Sequence, residues 1–112
     1  MGRDKGELVQ GTLDMLILKT VSRGAVHGWG IAQHIQQVSD EVLRVEEGSL
    51  YPALQRLLLK GWVNADWRQT ENNRRARYYT LTPEGKKALR AEVNSFDKVN
   101  RAIAQIIHPT EA

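Results

Sequence analysis

The 112-residue sequence predicts an α+β, mainly α fold made of three short helices, a two-stranded hairpin and a long C-terminal helix. Four segments carry apolar residues three or four positions apart, the spacing of an amphipathic helix. Between the third and fourth of these segments the apolar residues alternate with polar ones, the spacing of a strand. Glycine, proline and capping residues lie at the boundaries between the segments.

The first two helices come from the N-terminal third of the chain. Apolar residues run at helical spacing from Leu8 to Val21, and Gly24 follows as a stop signal. After a glycine-containing stretch at 27–30, Ile31 and Val38 mark the apolar edge of a short second helix. The glycine at position 30 leaves its first turn undefined.

The third helix has a start signal, a stop signal and one apolar face. Ser49 is predicted as its N-cap, which places Pro52 in the first turn, where the missing backbone N–H loses no hydrogen bond. Gly61 ends the helix. The residues expected to face inward are Leu50, Leu54, Leu57 and Leu58.

A hairpin and a long helix complete the chain. Val63 to Arg68 alternates in polarity and predicts one strand, and residues 75–81, rich in Tyr and Thr, predict the other. Asn72 and Asn73 suit the turn between them. Thr82 is predicted to cap a last helix that has Pro83 at its first position and reaches Ile107.

This order of elements is that of a winged helix-turn-helix with a long C-terminal helix. In that fold the third helix enters the DNA major groove, and the hairpin, called the wing, contacts the flanking backbone. Residues 1–82 are expected to form the winged helix-turn-helix and residues 83–108 a dimerisation helix, within one compact domain.

The outward face of the third helix is the first candidate site. Counting about 100° per residue from Leu50 turns Ser49, Pro52, Gln55 and Arg56 away from the core and leaves Tyr51 on the flank. Hydroxyl, amide and guanidinium groups hydrogen-bond base edges and phosphates. The alternative is that Gln55 and Arg56 form a solvated surface and that Tyr51 is an aromatic residue at the edge of the core. The residues proposed here as DNA contacts are Ser49, Tyr51, Pro52, Gln55 and Arg56.

The predicted wing is the second candidate site. Arg68, Arg74, Arg75 and Arg77 face only one acidic residue, Glu71. Such a basic tip would add sequence-independent affinity for phosphates, and neutralising about six phosphates per dimer would give a log–log salt slope of about −5. Alternatively, the arginines only keep the surface soluble.

The C-terminal helix carries a heptad-like apolar seam. Ordinary core packing is one interpretation, but the small body offers little surface to cover the seam, so a homodimer is the simpler one. Asn100 would then set the register of the two helices, and it would be an exposed residue otherwise. The seam consists of Leu89, Val93, Phe96, Asn100, Ile103 and Ile107.

Composition excludes several other classes. The net charge is +3 and the pI about 9.4, which suits a polyanionic partner. The chain has no cysteine and no apolar run long enough for a membrane span, and its start lacks a signal peptide, so a cytoplasmic location is expected. His27, His34 and His108 are too scattered for a metal site. No catalytic motif is present, and neither an enzyme nor a cofactor is expected.

Four motifs, at 12–18, 27–32, 48–54 and 77–85, resemble those of the PadR-like transcriptional regulators, and the single C-terminal helix resembles that of the family's smaller branch. The resemblance implies a bacterial repressor that binds an inverted repeat in a promoter as a dimer through that helix. It places Ser49 and Tyr51 at DNA-contacting positions in the third helix, and Asn73, Arg74 and Arg75 in the basic wing.

The resemblance also implies a small phenolic or planar aromatic effector, since some relatives release DNA on binding one. Trp29, Trp62 and Trp67, with Phe96, could line such a site, although aromatic residues at these positions more often belong to the core. The sequence departs from the family pattern at two places: Gly30 stands where many relatives have a charged residue, and Leu58-Leu59 stands where the family commonly has an acidic residue. Leu59 is expected to be an exposed hydrophobe or a contact for a partner chain.

A DNA-binding regulator is therefore the first hypothesis, and a winged-helix protein-interaction adaptor without operator recognition is the second. The basic wing, together with Gln55 and Arg56, favours the first.

Overall fold

A computed structural model describes residues 9–110. The predicted first residue of the first helix, Leu8, lies outside this range. The four helices are α1 (Gln10–Val21), α2 (Gly28–Val38), α3 (Glu47–Leu59) and α4 (Pro83–Ile107), and the three strands are β1 (Val26–His27), β2 (Val63–Gln69) and β3 (Arg75–Leu81). The predicted fold class is confirmed: the chain is mainly helical, with a hairpin before a long last helix.

One apolar core joins α1, α2, α3 and the base of the sheet. On α3 the buried residues recur three and four positions apart, which is why one face of this helix packs inward. Tyr79 is the aromatic side chain that β3 adds to this core. The largest fully buried side chains are Ile17, Leu18, Val21, Ile31, Leu50, Leu54, Leu57 and Val63.

The sheet has three strands in the order β1-β3-β2, so the predicted two-stranded hairpin is present but is only part of the sheet. The additional strand, β1, pairs Val26 with Tyr79 and His27 with Tyr78 in antiparallel register. Two residues are too few to show alternation in a sequence. This strand forms because β3 offers a free edge beside the start of α2.

Two helices begin earlier than predicted. α2 starts at Gly28, where the N–H of Gly30 donates to the His27 Nδ1 over 3.0 Å, so His27 is the N-cap. α3 starts at Glu47 with Glu46 as N-cap, and Ser49 lies inside the helix. The Ser49 N-cap prediction is therefore wrong: the helix begins two residues before Ser49, with Glu47 in the first turn, where a carboxylate is favourable beside the helix dipole.

The earlier start of α3 also changes the position of Pro52. This residue lies in the second turn, where an N–H would have donated to the carbonyl of Gly48. Proline has no N–H, so the Gly48 carbonyl has no helical donor from position 52. The prediction that Pro52 loses no backbone hydrogen bond is wrong.

A hydrogen-bonded junction fixes the start of α4. As predicted, Thr82 caps this helix: its Oγ1 accepts from the Gly85 N–H at 2.9 Å and donates to the Gly61 carbonyl at 2.7 Å. Gly61 has a φ of +77°, which a residue with a side chain rarely adopts. The capped end of α4 is thus tied to the turn that follows α3.

Candidate nucleic-acid interface

The outward face of α3 carries four of the five residues predicted to contact DNA. Ser49, Tyr51, Pro52 and Gln55 are all exposed, while their neighbours Leu50, Ala53 and Leu54 are buried. This pattern follows from the helical period: at about 100° per residue, the exposed and the buried residues fall on opposite sides of the helix. A serine hydroxyl and a glutamine amide are therefore free to meet base edges or phosphates.

Tyr51 has a second contact, at the start of α2. A Cβ atom placed on Gly28 would lie 3.3 Å from the Tyr51 Cε1 atom, so glycine at this position lets the tyrosine ring pack closely. The ring is 48% exposed, so one side supports the α2–α3 arrangement and the other remains open.

Arg56 differs from its neighbours. The sequence turns it outward, but its Nη2 donates to the Oδ1 of Asp14 on α1 at 2.7 Å. Asp14 is buried, and a buried carboxylate needs a charged or hydrogen-bonding partner. The predicted outward orientation of Arg56 is therefore wrong. Sequence reasoning missed Asp14, although a charged residue between Leu13 and Met15 inside an apolar helix was the available signal.

The wing is the hairpin β2–β3 with its turn at residues 70–74. Asn73 has a φ of +65° in this turn, a conformation that asparagine tolerates better than most residues, as the sequence predicted. Its Oδ1 accepts from the Gln69 side-chain amide. Asn73 and all four arginines of the predicted wing are exposed: the arginines are Arg68, Arg74, Arg75 and Arg77.

The wing arginines have different surroundings. Arg75 stacks on Trp67 with 5.4 Å between its Cζ and the ring centroid, which steadies the guanidinium without neutralising it. Arg68 instead pairs with Asp66 at 3.2 Å and lies over the ring of Tyr78. Arg74 and Arg75 at the tip are therefore better placed than Arg68 to add positive charge.

Tyr79 of β3 belongs to the same apolar core as the buried face of α3. This residue is buried and pairs with Ala65 in the hairpin, and both Tyr51 of α3 and Arg77 of β3 lie close enough to influence its ionisation. Burial raises the pKa of the Tyr79 hydroxyl above the ordinary 10.0, the Arg77 guanidinium opposes the rise, and Tyr51 adds to it. The strand β2 packs on α3 and pairs with the arginine-bearing strand β3, so the helix and the wing adjoin through β2.

The seam predicted on α4 divides into two parts. Leu89 is buried in its own chain and Val93 is half-buried against the core, so the prediction that Leu89 faces a partner is wrong. The reason is that the first turns of α4 pack on α1. Beyond Val93 the apolar side chains are exposed: they are Phe96, Val99, Ile103, Ile106 and Ile107, with Asn100 exposed among them.

The aromatic residues suggested for an effector lie on separate elements. Trp29 lines a groove of about 600 Å³ between α2 and the α2–α3 loop, and it is the only one of the four in that groove. Trp62 is half-buried under the Lys60 ammonium, Trp67 lies on the wing, and Phe96 lies on α4. The groove therefore gives no support to an effector site that combines these four residues.

Within residues 9–110 no group of three or more His, Asp or Glu side chains is placed to hold a metal ion. In the same range, no helix has both the length and the apolar character needed to cross a membrane.

In this fold α3 packs on two supporting helices, presents polar groups outward and lies beside a basic hairpin. These features define the class of winged-helix DNA-binding proteins. The profile of the Transcriptional regulator PadR-like family matches residues 17–91. The chain belongs to this family, whose members are transcriptional regulators and not enzymes. The sequence-based resemblance and the prediction that the chain is not an enzyme are thereby confirmed.

Two solved structures of transcriptional regulators agree with this assignment. A transcriptional regulator from Clostridium thermocellum is 28% identical with a TM-score of 0.78, over 86% of this chain and 93% of its own. A PadR family transcription regulator from Clostridium difficile is 27% identical with a TM-score of 0.72, over 85% of this chain and 97% of its own.

A 37.1 kDa protein in transposon TN4556 of Streptomyces fradiae is 36% identical over 97 residues, which are 87% of this chain. The chain spans 26% of the length of that relative.

Proposed function

We propose that this regulator is a cytoplasmic repressor that binds an inverted-repeat promoter site as a homodimer. The observation that carries the proposal is that the exposed polar face of α3 and the exposed wing arginines lie on successive elements that pack together: α3 packs on β2, and β2 pairs with β3. Base-reading groups and phosphate-binding groups therefore lie on neighbouring elements of the fold. An adaptor that binds only proteins would have no need for both.

The helix α3 is proposed to read bases in the major groove. The Gln55 amide has one donor and one acceptor in the arrangement that pairs with adenine N7 and N6, and Ser49 lies nearer the helix N-terminus, the part that meets base edges. Losing one bidentate contact costs about 1–3 kcal/mol of discrimination.

Gln55→Ala should therefore lower affinity for the preferred duplex about tenfold and leave affinity for a scrambled duplex nearly unchanged. The matched control is Gln105→Ala, an exposed glutamine on α4 on the side opposite Phe96 and Ile103 by angular count. Equal losses on every duplex would contradict a reading role for Gln55.

The wing is proposed to bind the phosphate backbone through Arg74 and Arg75. These two arginines are exposed, and Trp67 holds the second of them. The double variant Arg74→Ala/Arg75→Ala should weaken binding to all duplexes and make the log–log salt slope shallower by about two for each wing that contacts DNA. Arg90→Ala, an exposed arginine on α4, is the control and should leave the slope unchanged.

The exposed part of the α4 stripe is proposed to pair with a second copy of the chain. Phe96, Val99 and Ile103 lie on one side of the helix within about 60°, and two further isoleucines continue the stripe. Contiguous exposed apolar surface of this kind marks an interaction site. A heptad-like stripe on a long helix is self-complementary, as a two-fold interface requires.

Ile103→Asp should convert the protein to monomers in light scattering, because a charge in the centre of an apolar interface is desolvated without a partner. Lys98→Asp, on the opposite side of α4, introduces the same side chain and should leave the dimer intact. If the Ile103→Asp variant remained a dimer, pairing of two copies through the α4 stripe would be contradicted.

A further inference from the structure

Within residues 9–110, the Asp14–Arg56 pair is the one ion pair that joins two different elements. The other pair links Asp66 and Arg68, neighbours on β2 that are both exposed. In the first pair Arg56 Nη2 and Asp14 Oδ1 are 2.7 Å apart, with 10% of the Asp14 side chain and 29% of the Arg56 side chain exposed. This contact connects the middle of α1 to the last turns of α3.

The contact is a poor stabiliser by its own geometry. Removing two charges from water costs free energy that the ion pair recovers only when the remaining donors and acceptors are also satisfied. Here Arg56 Nε is buried and has no hydrogen-bond partner. Two apolar side chains of the same size would fill this site at least as stably.

What the pair supplies is position. The other core contacts of α3, made mainly by Leu50, Ala53, Leu54 and Leu57, keep its apolar face inward, but because the hydrophobic effect has no direction they limit small shifts of the helix less sharply than a hydrogen bond does. A charge-assisted hydrogen bond of 2.7 Å fixes one point of α3 along and around its axis.

That fixed point lies next to the reading face. Arg56 follows Gln55 directly, and Tyr51 lies five residues earlier on the same helix. A functional site has to be held within about 0.5 Å and 10–20° of its productive geometry, so even a small shift of α3 that keeps its leucines buried would misplace the reading groups. The fixed partner, α1, also packs on α4.

We infer that the Asp14–Arg56 ion pair is a positioning device for DNA recognition: it fixes the register of α3, so that sequence preference depends on Asp14, a residue buried on another helix. The inference rests on the proposed function. Asp14 is a positioning residue, since it acts on DNA only through Arg56.

The first test is Asp14→Asn, measured against a preferred duplex and a scrambled duplex by fluorescence anisotropy. A positioning role predicts a loss of about tenfold or more on the preferred duplex, the size of one lost bidentate contact, with the scrambled duplex within about twofold. A direct DNA contact by Arg56 predicts the opposite, because the substitution frees a cation and should raise affinity for both duplexes. That second result would overturn the inference.

A second variant separates position from stability. In Asp14→Leu/Arg56→Met both charges are replaced by apolar side chains, so the protein should melt at or above the wild-type temperature while sequence preference stays about tenfold reduced. If this variant recovered the wild-type sequence preference, the inference would be overturned. The loss of preference in Asp14→Asn would then be explained by reduced stability alone.

Wild-type protein is the reference for both tests. If it selects no sequence from a random duplex pool, the proposed function fails and this inference fails with it. If it selects a sequence that Asp14→Asn selects equally well, only the positioning role is overturned.

Discussion

Replacing Gly85 with alanine tests the junction that anchors α4 to the winged-helix body. A Cβ atom at this position would overlap the backbone carbonyl oxygen of Trp62 and would come within 2.8 Å of the Leu81 Cδ1 atom. The same carbonyl accepts a hydrogen bond from the Thr82 N–H at 3.1 Å. Main-chain atoms cannot rotate away as a flexible side chain can, so the helix start must move.

The magnitude follows from three contributions. Overpacking against backbone costs about 3 kcal/mol at the upper end of its usual range. Weakening the bond from Thr82 to the Trp62 carbonyl adds about 1 kcal/mol. Alanine regains about 1 kcal/mol through its higher helix propensity. The net loss in the free energy of unfolding is about 3 kcal/mol, or about 10 °C in melting temperature for a chain of this size.

Urea unfolding followed by circular dichroism measures this loss directly. The control is Gly11→Ala on α1, where an added Cβ meets no atom within 4 Å, so the same substitution should be neutral or stabilising by up to about 1 kcal/mol. A Gly85→Ala variant as stable as Gly11→Ala would refute the close approach of α4 to Trp62.

Three further predictions concern single side chains. Thr82→Ala should lower the free energy of unfolding by about 1–2 kcal/mol, because the Gly85 N–H and the Gly61 carbonyl both lose a partner; Thr82→Ser, which keeps the hydroxyl, should restore most of it in the same urea assay. Above pH 10 the unfolded chain ionises Tyr79 while the folded chain, in which its pKa is raised, keeps the proton; stability should therefore fall as the pH rises from about 10, and Tyr79→Phe should reduce that fall. Asn73→Val should destabilise the wing turn, where φ is +65°, by about 1 kcal/mol or more, whereas Asn73→Gly should not; a thermal melt of both variants distinguishes them.

Most of the fold was predictable because its signals are local. Thr82, Pro83 and the apolar period of α4 define that helix without reference to the rest of the chain. The strand β1 was not predictable, because it consists of Val26 and His27 alone and exists only where β3 offers an edge. The early start of α3 was missed because Ser49 is a strong capping residue that the tertiary structure did not use.

For the candidate site, the side of the helix on which each residue lies was predictable, but the residue that its side chain contacts was not. The exposure of Ser49 and Gln55 follows from helix geometry alone. Arg56 has a long side chain, and its direction depends on Asp14, which is 42 residues away in the sequence. Likewise, Leu89 continues the stripe of α4, but α1 covers it within the same chain. Contacts between distant segments decide both cases.

The most direct test of the central claim is fluorescence anisotropy of the wild-type protein with promoter DNA from upstream of its own gene and with a scrambled duplex, over a series of salt concentrations. A repressor built as described should prefer its promoter DNA about tenfold or more, and affinity for both duplexes should fall steeply with salt. Equal and weak binding to both duplexes, followed by failure to enrich any sequence from a random pool, would contradict sequence recognition by α3.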